Sequence, residues 1–177
     1  NISYEMGKNS IKNLDSCNIV ITSPGVPRDA PILIEATNRG IPIISEIEFA
    51  YQHCNNPIIA ITGTNGKTTT TALIEYILNR SGVPAVAAGN IGKPLSEVVS
   101  NLEPGTVVVL EISSYQLDRI EFFHPNIAII TNITPDHLKY HKTMEDYIAT
   151  KWKIASNQIP EDLLILNFDD EYLSKGN

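Results

Sequence analysis

Short, almost wholly apolar runs recur along this chain, each followed by a polar turn: Ile58–Ile61, Val83–Ala87, Thr106–Leu110, Ile127–Thr131 and Leu163–Asn167. A strand with one face in water alternates apolar and polar residues. A strand apolar at every position is one that a sheet buries on both faces, which requires helices above and below it. Helical stretches do lie between the runs, to about Arg80 (ended by Gly82), over Pro94–Asn101 and over Thr143–Ser156. Upstream the same alternation holds. Asn18–Thr22 reads as a strand, followed by the turn Ser23-Pro24-Gly25-Val26-Pro27 and a helix over Ala30–Asn38 closed by Gly40. Ile41–Ile44 is the next strand, and Ser45 is placed to N-cap a helix reaching about Tyr51. The fold class is therefore α/β with a mostly parallel sheet flanked by helices. The turn-forming Asn55-Asn56-Pro57 marks a boundary, giving one unit over residues 1–55 and another over 56–177.

Composition removes several functional classes. A formal net charge of −7 argues against nucleic acid or an anionic membrane as partner, while leaving room for a local basic nucleotide site. Cys17 and Cys54 are far apart and lack metal-ligand spacing, so both read as thiols of a reducing, cytoplasmic compartment. No apolar run approaches the roughly 20 residues of a membrane helix, and no signal-peptide pattern opens the chain. It begins at Asn1 rather than Met and stops at Lys175-Gly176-Asn177 soon after a strand, and is expected to be a piece of a longer protein.

Four stretches carry chemistry. In ITGTNGKTTTTALIEYILNRSG, Ile61 to Gly82, a strand runs through a tight Gly-Lys-Thr loop into a helix. Backbone amides and the helix N-terminus can there hold phosphate, with the Lys on the outer phosphates and the Thr hydroxyl on Mg²⁺. The first glycine is Gly63, giving G-x-x-G-K-T, and Ile61 stands where the commoner loop has glycine. In VVVLEISSYQLD, Glu111 ends a strand at the carboxyl edge of the sheet, either as a Mg²⁺ ligand or as a capping or salt-bridged acid. In NITPDHLKYH, Asp136 and His137 occupy another such edge, as metal or phosphate partners or as structural residues; His124 and His141 read as structural. Tyr147 and Lys151 share one face of the last helix and Lys153 points away from it, so Lys151 faces either the sheet or water.

Taken together, residues 17–170 resemble the Mur ligase family. Thr62-Gly63-Thr64-Asn65-Gly66-Lys67-Thr68-Thr69 is similar to its T-G-T-N-G-K-T-[ST] loop. Glu111-Ile112-Ser113-Ser114-Tyr115-Gln116-Leu117 resembles the E-[LI]-S-S-[FY]-Q-L of the D-glutamate-adding members. The diaminopimelate- or lysine-adding members have E-V-S-S-H and the L-alanine-adding ones E-A-D-E-S-D; folylpolyglutamate synthases differ again. Gly89-Asn90-Ile91-Gly92 and Ser23-Pro24-Gly25 also match, whereas Lys139, Tyr140 and Thr150 depart from the frequent residues.

The resemblance implies the tail of a Rossmann-like UDP-substrate domain followed by the first part of a P-loop ATPase domain. It implies an ATP-dependent amide ligase of peptidoglycan synthesis that joins D-glutamate to UDP-N-acetylmuramoyl-L-alanine through an acyl phosphate. ATP would lie on Gly63, Thr64, Asn65, Gly66, Lys67, Thr68 and Thr69. Lys67, Glu111, His137 and Lys151 would be catalytic. Mg²⁺ would be held by Thr68, Glu111, His137 and a carbamylated Lys151, and the substrate by Ser23, Gly25, Asn90 and His137. The full-length protein is expected to be a cytoplasmic monomer acting on small molecules, and this piece alone inactive. Two alternatives stand beside this: another Mur or folylpolyglutamate-type ligase, and a non-catalytic P-loop nucleotide-binding module.

Overall fold

Two parallel sheets organise the chain in a computed structural model that describes residues 5–7 and 9–174. The terminal residues on which the reading as a piece rested lie outside the described residues. The smaller sheet pairs β1 (Val20–Thr22) with β2 (Ile43–Ser45) through α1 (Pro31–Asn38), whose Pro31 opens the helix where its missing N–H costs nothing. Ser45 ends β2 and caps α2 (Glu46–Tyr51), its side chain accepting from the Glu48 amide as the sequence leads one to expect.

The larger sheet contains β3 (Ile58–Thr62), β4 (Ala85–Gly89), β5 (Val107–Glu111), β6 (Ile127–Ile130) and β7 (Leu163–Leu166) in the order β4-β5-β3-β6-β7, every pair parallel. Its helices are α3 (Lys67–Arg80), α4 (Leu95–Val98), α5 (Ser114–Leu117), α6 (Leu138–His141) and α7 (Met144–Trp152). Both α4 and α7 tighten into 3-10 turns, at Val99–Asn101 and Lys153–Ala155. The single-turn helices α5 and α6 are too short to leave a periodic pattern in the sequence. A capping box, in which Ser113 and Gln116 each bond the other's backbone amide, defines the start of α5.

Ile58, Ala60, Val108 and Leu110 are buried on one face and Ile61 and Val109 on the other, so β3 and β5 behave as strands covered on both faces, whereas β6 buries Ala128 and Ile130 and leaves Ile127 and Ile129 half-buried. The expectation fails for β7. Leu163, Leu164 and Ile165 are 58%, 38% and 48% exposed, because β7 is the edge strand and is left largely uncovered. The core also takes in Ile47 and Ala50 of α2, from the far side of Asn55-Asn56-Pro57. The buried Glu48 carboxylate accepts the amides of Glu121, Phe122 and Phe123 at 2.9, 3.0 and 3.0 Å, which offsets much of the cost of its burial. Packing is thus continuous across residue 55.

Strand order positions the site. From the central β3 the neighbours are β5 on one side and β6 on the other, so the connections leave in opposite directions and open a crevice at the carboxyl ends. In register, Glu111 lies opposite both Ile61 and Gly89, and Ile130 lies opposite Thr62.

Candidate functional site

The loop after β3 is built against the end of β6. Gly63 has φ 143°, and a Cβ there would run into the Thr131 side chain and the Asn132 backbone, so only glycine fits. Asn132 staples the loop: its carbonyl accepts the Thr64 amide at 2.8 Å, its Oδ1 accepts the Asn65 amide at 2.9 Å, and its Nδ2 donates to the Asn65 carbonyl at 2.9 Å. Thr131 Oγ1 donates to the same carbonyl at 2.7 Å. The Thr64 hydroxyl is committed to the Thr134 carbonyl and the Tyr147 hydroxyl, 3.1 Å from each. Thr64 and Asn65 therefore shape the loop. Gly66, with φ 82°, turns the chain into α3, whose first amides lack helical partners and whose first turn carries no acid. That end is a ready anion site.

Glu111 lies beside it, 1% exposed. Its two oxygens accept from Thr68 Oγ1 at 2.8 Å and Asn90 Nδ2 at 2.9 Å. Gly89 allows the second contact: at φ 104°, a Cβ there would strike the Glu111 carbonyl, and the Asn90 amide donates to that carbonyl at 2.9 Å. A buried carboxylate held by two neutral donors and close to a phosphate-type loop fits a hard cation. Among the described residues no cluster of three His, Cys, Asp or Glu could hold a metal unaided. Mg²⁺ typically takes one or two carboxylates and completes its shell with phosphate and water, which this donor set matches.

Two lysines converge on one backbone oxygen. Lys67 Nζ donates to the carbonyls of Gly63 and Thr64 at 3.0 and 2.9 Å, and Lys151 Nζ donates to Gly63 at 2.7 Å from the other side. Lys151 is 1% exposed and lies 4.6 Å from the centre of the Tyr147 ring, so it is not a surface lysine. Burial, and then the neighbouring Lys67 charge, lower its pKa to about 7, with Asp136 pulling the other way. Near neutral pH a large fraction is therefore free amine. Lys153 is turned away, as its place on the helix predicts, and donates to the Asp118 carbonyl at 2.7 Å.

The remaining expected residues stand apart from this centre. His137 is a rim residue in the left-handed region (φ 53°), its ring 4.9 Å from that of Tyr115 and its Nε2 3.4 Å from Asp136. Ser23 and Gly25 are exposed on the loop after β1. No hydrogen bond among the described residues joins His137, Ser23 or Gly25 to Lys67, Glu111 or Lys151. His141 is structural, as expected: it is fully buried, burial depresses its pKa, and its Nε2 lies 2.9 Å from Ser114 Oγ. Sequence reasoning missed Asn132, the Tyr147 hydroxyl as a loop partner, and Arg28. Asn132 carried one usable signal, a polar residue directly beyond a buried strand at the presumed ligand edge.

Residues 61–177 match the family model described as Mur ligase middle domain. The chain is 45% identical over 152 residues to a UDP-N-acetylmuramoylalanine--D-glutamate ligase of Streptococcus mutans, covering 86% of this chain and 34% of that protein. A Clostridioides difficile protein of the same name is 45% identical over 171 residues, 96% of this chain and 38% of its own. The chain thus spans about a third of the length of the curated relatives it matches. Among solved structures, the UDP-N-acetylmuramate-alanine ligase MurC of Thermotoga maritima is 27% identical with a TM-score of 0.55, over 96% of this chain and 39% of that one. A Thermotoga maritima MurF ligase in complex with ADP has a TM-score of 0.58 at 17% identity, over 94% of this chain and 46% of that one, a likeness of fold alone.

Proposed function

The chain belongs to the Mur ligase family, and we propose that it supplies the nucleotide-handling centre of an ATP-dependent ligase that adds D-glutamate to UDP-N-acetylmuramoyl-L-alanine. In this reading the terminal carboxylate of the substrate attacks the γ-phosphorus of ATP and ADP leaves. The amine of D-glutamate then attacks the acyl phosphate, loses a proton, and inorganic phosphate departs as the amide forms. The observation that carries the proposal is the meeting of Lys67, Lys151 and the Thr68–Glu111–Asn90 group at one sheet edge. A carboxylate attacking a triphosphate brings anions together, so positive charge must be fixed in place beforehand. A nucleotide switch needs the loop but has no use for a second, buried lysine.

Each residue then has a task. Lys67 leaves the Gly63 and Thr64 carbonyls to follow charge on the transferred phosphoryl group, and the amides opening α3 hold the phosphates. Thr68 and Glu111 hold Mg²⁺, which when bound would neutralise phosphate oxygens. Lys151 gives up its ammonium proton, and the free amine then reacts with CO₂ to form a carbamate with loss of a second proton, so that a buried cation is replaced by an anion that would serve as a metal ligand. Asn90 and His137 orient the substrate, and Ser23 and Gly25 touch its uridine nucleotide. Residues 1–55 belong to a Rossmann-like substrate domain and 56–177 to the central ATPase domain, with α2 anchoring one to the other. The full-length enzyme works as a monomer in the cytoplasm. Among the described residues no helix is long and apolar enough to cross a membrane.

The choice of D-glutamate rests on Glu111–Leu117 and on the names of the relatives above. It is tested by giving the full-length protein ATP, UDP-N-acetylmuramoyl-L-alanine and one amino acid at a time, reading phosphate release and amide product. Phosphate release and amide product are expected with D-glutamate. Response to another amino acid points to a different ligase, and ATP turnover without amide points to a nucleotide-binding module.

Glu111→Gln keeps the shape and removes the charge. The Mg²⁺ concentration for half-maximal activity should rise by at least about tenfold, the scale on which metal sites respond to lost support. Ser113→Ala loses only a cap, worth about 1 kcal/mol of stability, and its Mg²⁺ titration should overlay the wild type. A silent Glu111→Gln would leave Glu111 as a structural acid.

A further inference from the structure

Arg28 lies in the exposed loop between β1 and α1, just beyond Ser23-Pro24-Gly25, and belongs to none of the motifs above. Its guanidinium grips Asp118 through Nε and Nη2 at 2.8 and 2.6 Å, and reaches Asp146 through Nη1 at 2.7 Å and Nη2 at 3.4 Å. It stands 5.1 Å from the centre of the Tyr140 ring, whose hydroxyl donates to Asp118 at 2.9 Å. Lys153 completes the group from below, with Nζ 3.8 Å from the Asp118 carboxylate. Burial works against charge on Asp118, and the hydrogen bonds from Arg28 and then Tyr140 overcome it, holding the carboxyl below its usual range.

The two acids are not at arbitrary places. Asp118 closes α5, the helix that follows Glu111, and Asp146 lies on the first turn of α7, which carries Tyr147 and Lys151. Among the described residues, every hydrogen bond from the β1–α1 loop to residues beyond 56 is made by Arg28. Beside it a gap of about 100 Å³ remains between Pro27, Asp29, Lys139 and Lys142, so close packing does not replace those bonds. A partly exposed ion pair contributes little net stability. A planar fork held by two carboxylates on separate helices does fix direction.

We propose that Arg28 is a positioning residue: it locks the Ser23–Gly25 loop onto α5 and α7, so that a uridine-nucleotide substrate on that loop presents its carboxylate to the phosphate loop. The inference rests on the ligase reading for the identity of that substrate. Lysine cannot reproduce the device, because a single ammonium does not present a planar fork to two carboxylates at once.

The test uses the full-length protein with Arg28→Ala, Arg28→Lys and Asp146→Asn. Kd for UDP-N-acetylmuramoyl-L-alanine and for ATP is measured by calorimetry, and KM for each where ligation is seen. Arg28→Ala is expected to weaken the uridine substrate by about tenfold or more, because the loop must then be ordered at the expense of binding, with ATP changed less than about twofold. Arg28→Lys should recover only a minor part, and Arg28→Ala should add little in the Asp146→Asn background. Equal weakening of both ligands, no weakening, or full recovery by lysine would each overturn the proposal, as would wild-type protein that fails to bind the uridine substrate. The ligase reading fails separately, if wild-type protein binds both ligands and yields no amide with any amino acid. If Arg28→Ala does not fold, Arg28→Lys and Asp146→Asn carry the same comparison.

Discussion

Lys67→Ala in the full-length protein should lower kcat for amide formation by on the order of 100- to 1000-fold, the usual effect of deleting one preorganised charge-stabilising group. The folded state should hardly notice. Lys67 is only half-buried and bonds two backbone carbonyls, one of which, at Gly63, also accepts from Lys151. Its removal opens no core cavity and leaves no buried partner without a donor at Gly63. Single-turnover measurement of acyl-phosphate formation, beside a thermal melt, separates the two effects. A variant that melts as wild type and phosphorylates at an undiminished rate would remove Lys67 from the chemistry and leave it as a brace for the loop.

Lys151→Ala should also abolish most activity, by at least about 100-fold, and here the repair is more telling than the loss. If Lys151 works as a carbamate, acetate or formate should restore part of the activity by placing carboxylate oxygens in the vacated space. The same anions should do nothing for Lys153→Ala, whose ammonium is bound to the Asp118 carbonyl on the other side of the helix. Loss without rescue across a full acetate titration would argue for a plain ammonium at Lys151. The pH dependence supplies a check that does not depend on activity. The folded pKa of Lys151 is about 7, below the 10.5 of the exposed side chain. Between these values the unfolded chain binds more protons, so stability rises with pH through this window. Below about pH 7 the buried ammonium exacts its full cost. The stability gap between wild type and Lys151→Met, from urea unfolding of the full-length protein, should therefore shift in favour of the wild type from about pH 7 to about pH 9. A gap that stays flat would mean that Lys151 is not desolvated in solution.

Much of this protein was legible along the chain because the relevant signals act over a few residues. Ser45 caps its helix through an amide only three positions away. The turn into α3 needs a glycine at Gly66, and the last strand residue before it falls at a sheet edge wherever the strand lies. Tyr147 and Lys151 share a helix face by geometry alone, and that face proved to be the buried one. From such signals the α/β class, the phosphate-type loop and the placing of Glu111 at a carboxyl edge all follow.

Partnerships between distant segments were not legible, since nothing local to either partner specifies the other. The apolar run of β7 reads like that of β5, yet β5 has neighbours on both sides and β7 only on one. Asn132 meets the Gly63–Asn65 loop because β6 happens to lie beside β3. Gly63 must be glycine because Thr131 and Asn132 crowd it, a constraint invisible in its own turn. An arginine in a Pro-rich surface turn looks solvated until Asp118 and Asp146, brought together by the packing of α5 and α7, present two carboxylates to its fork. The two lysines acquire their meaning in the same way. Only when the crossovers have folded do Lys67 and Lys151 share the Gly63 carbonyl, and burial, with that closeness second, draws the Lys151 amine toward neutrality.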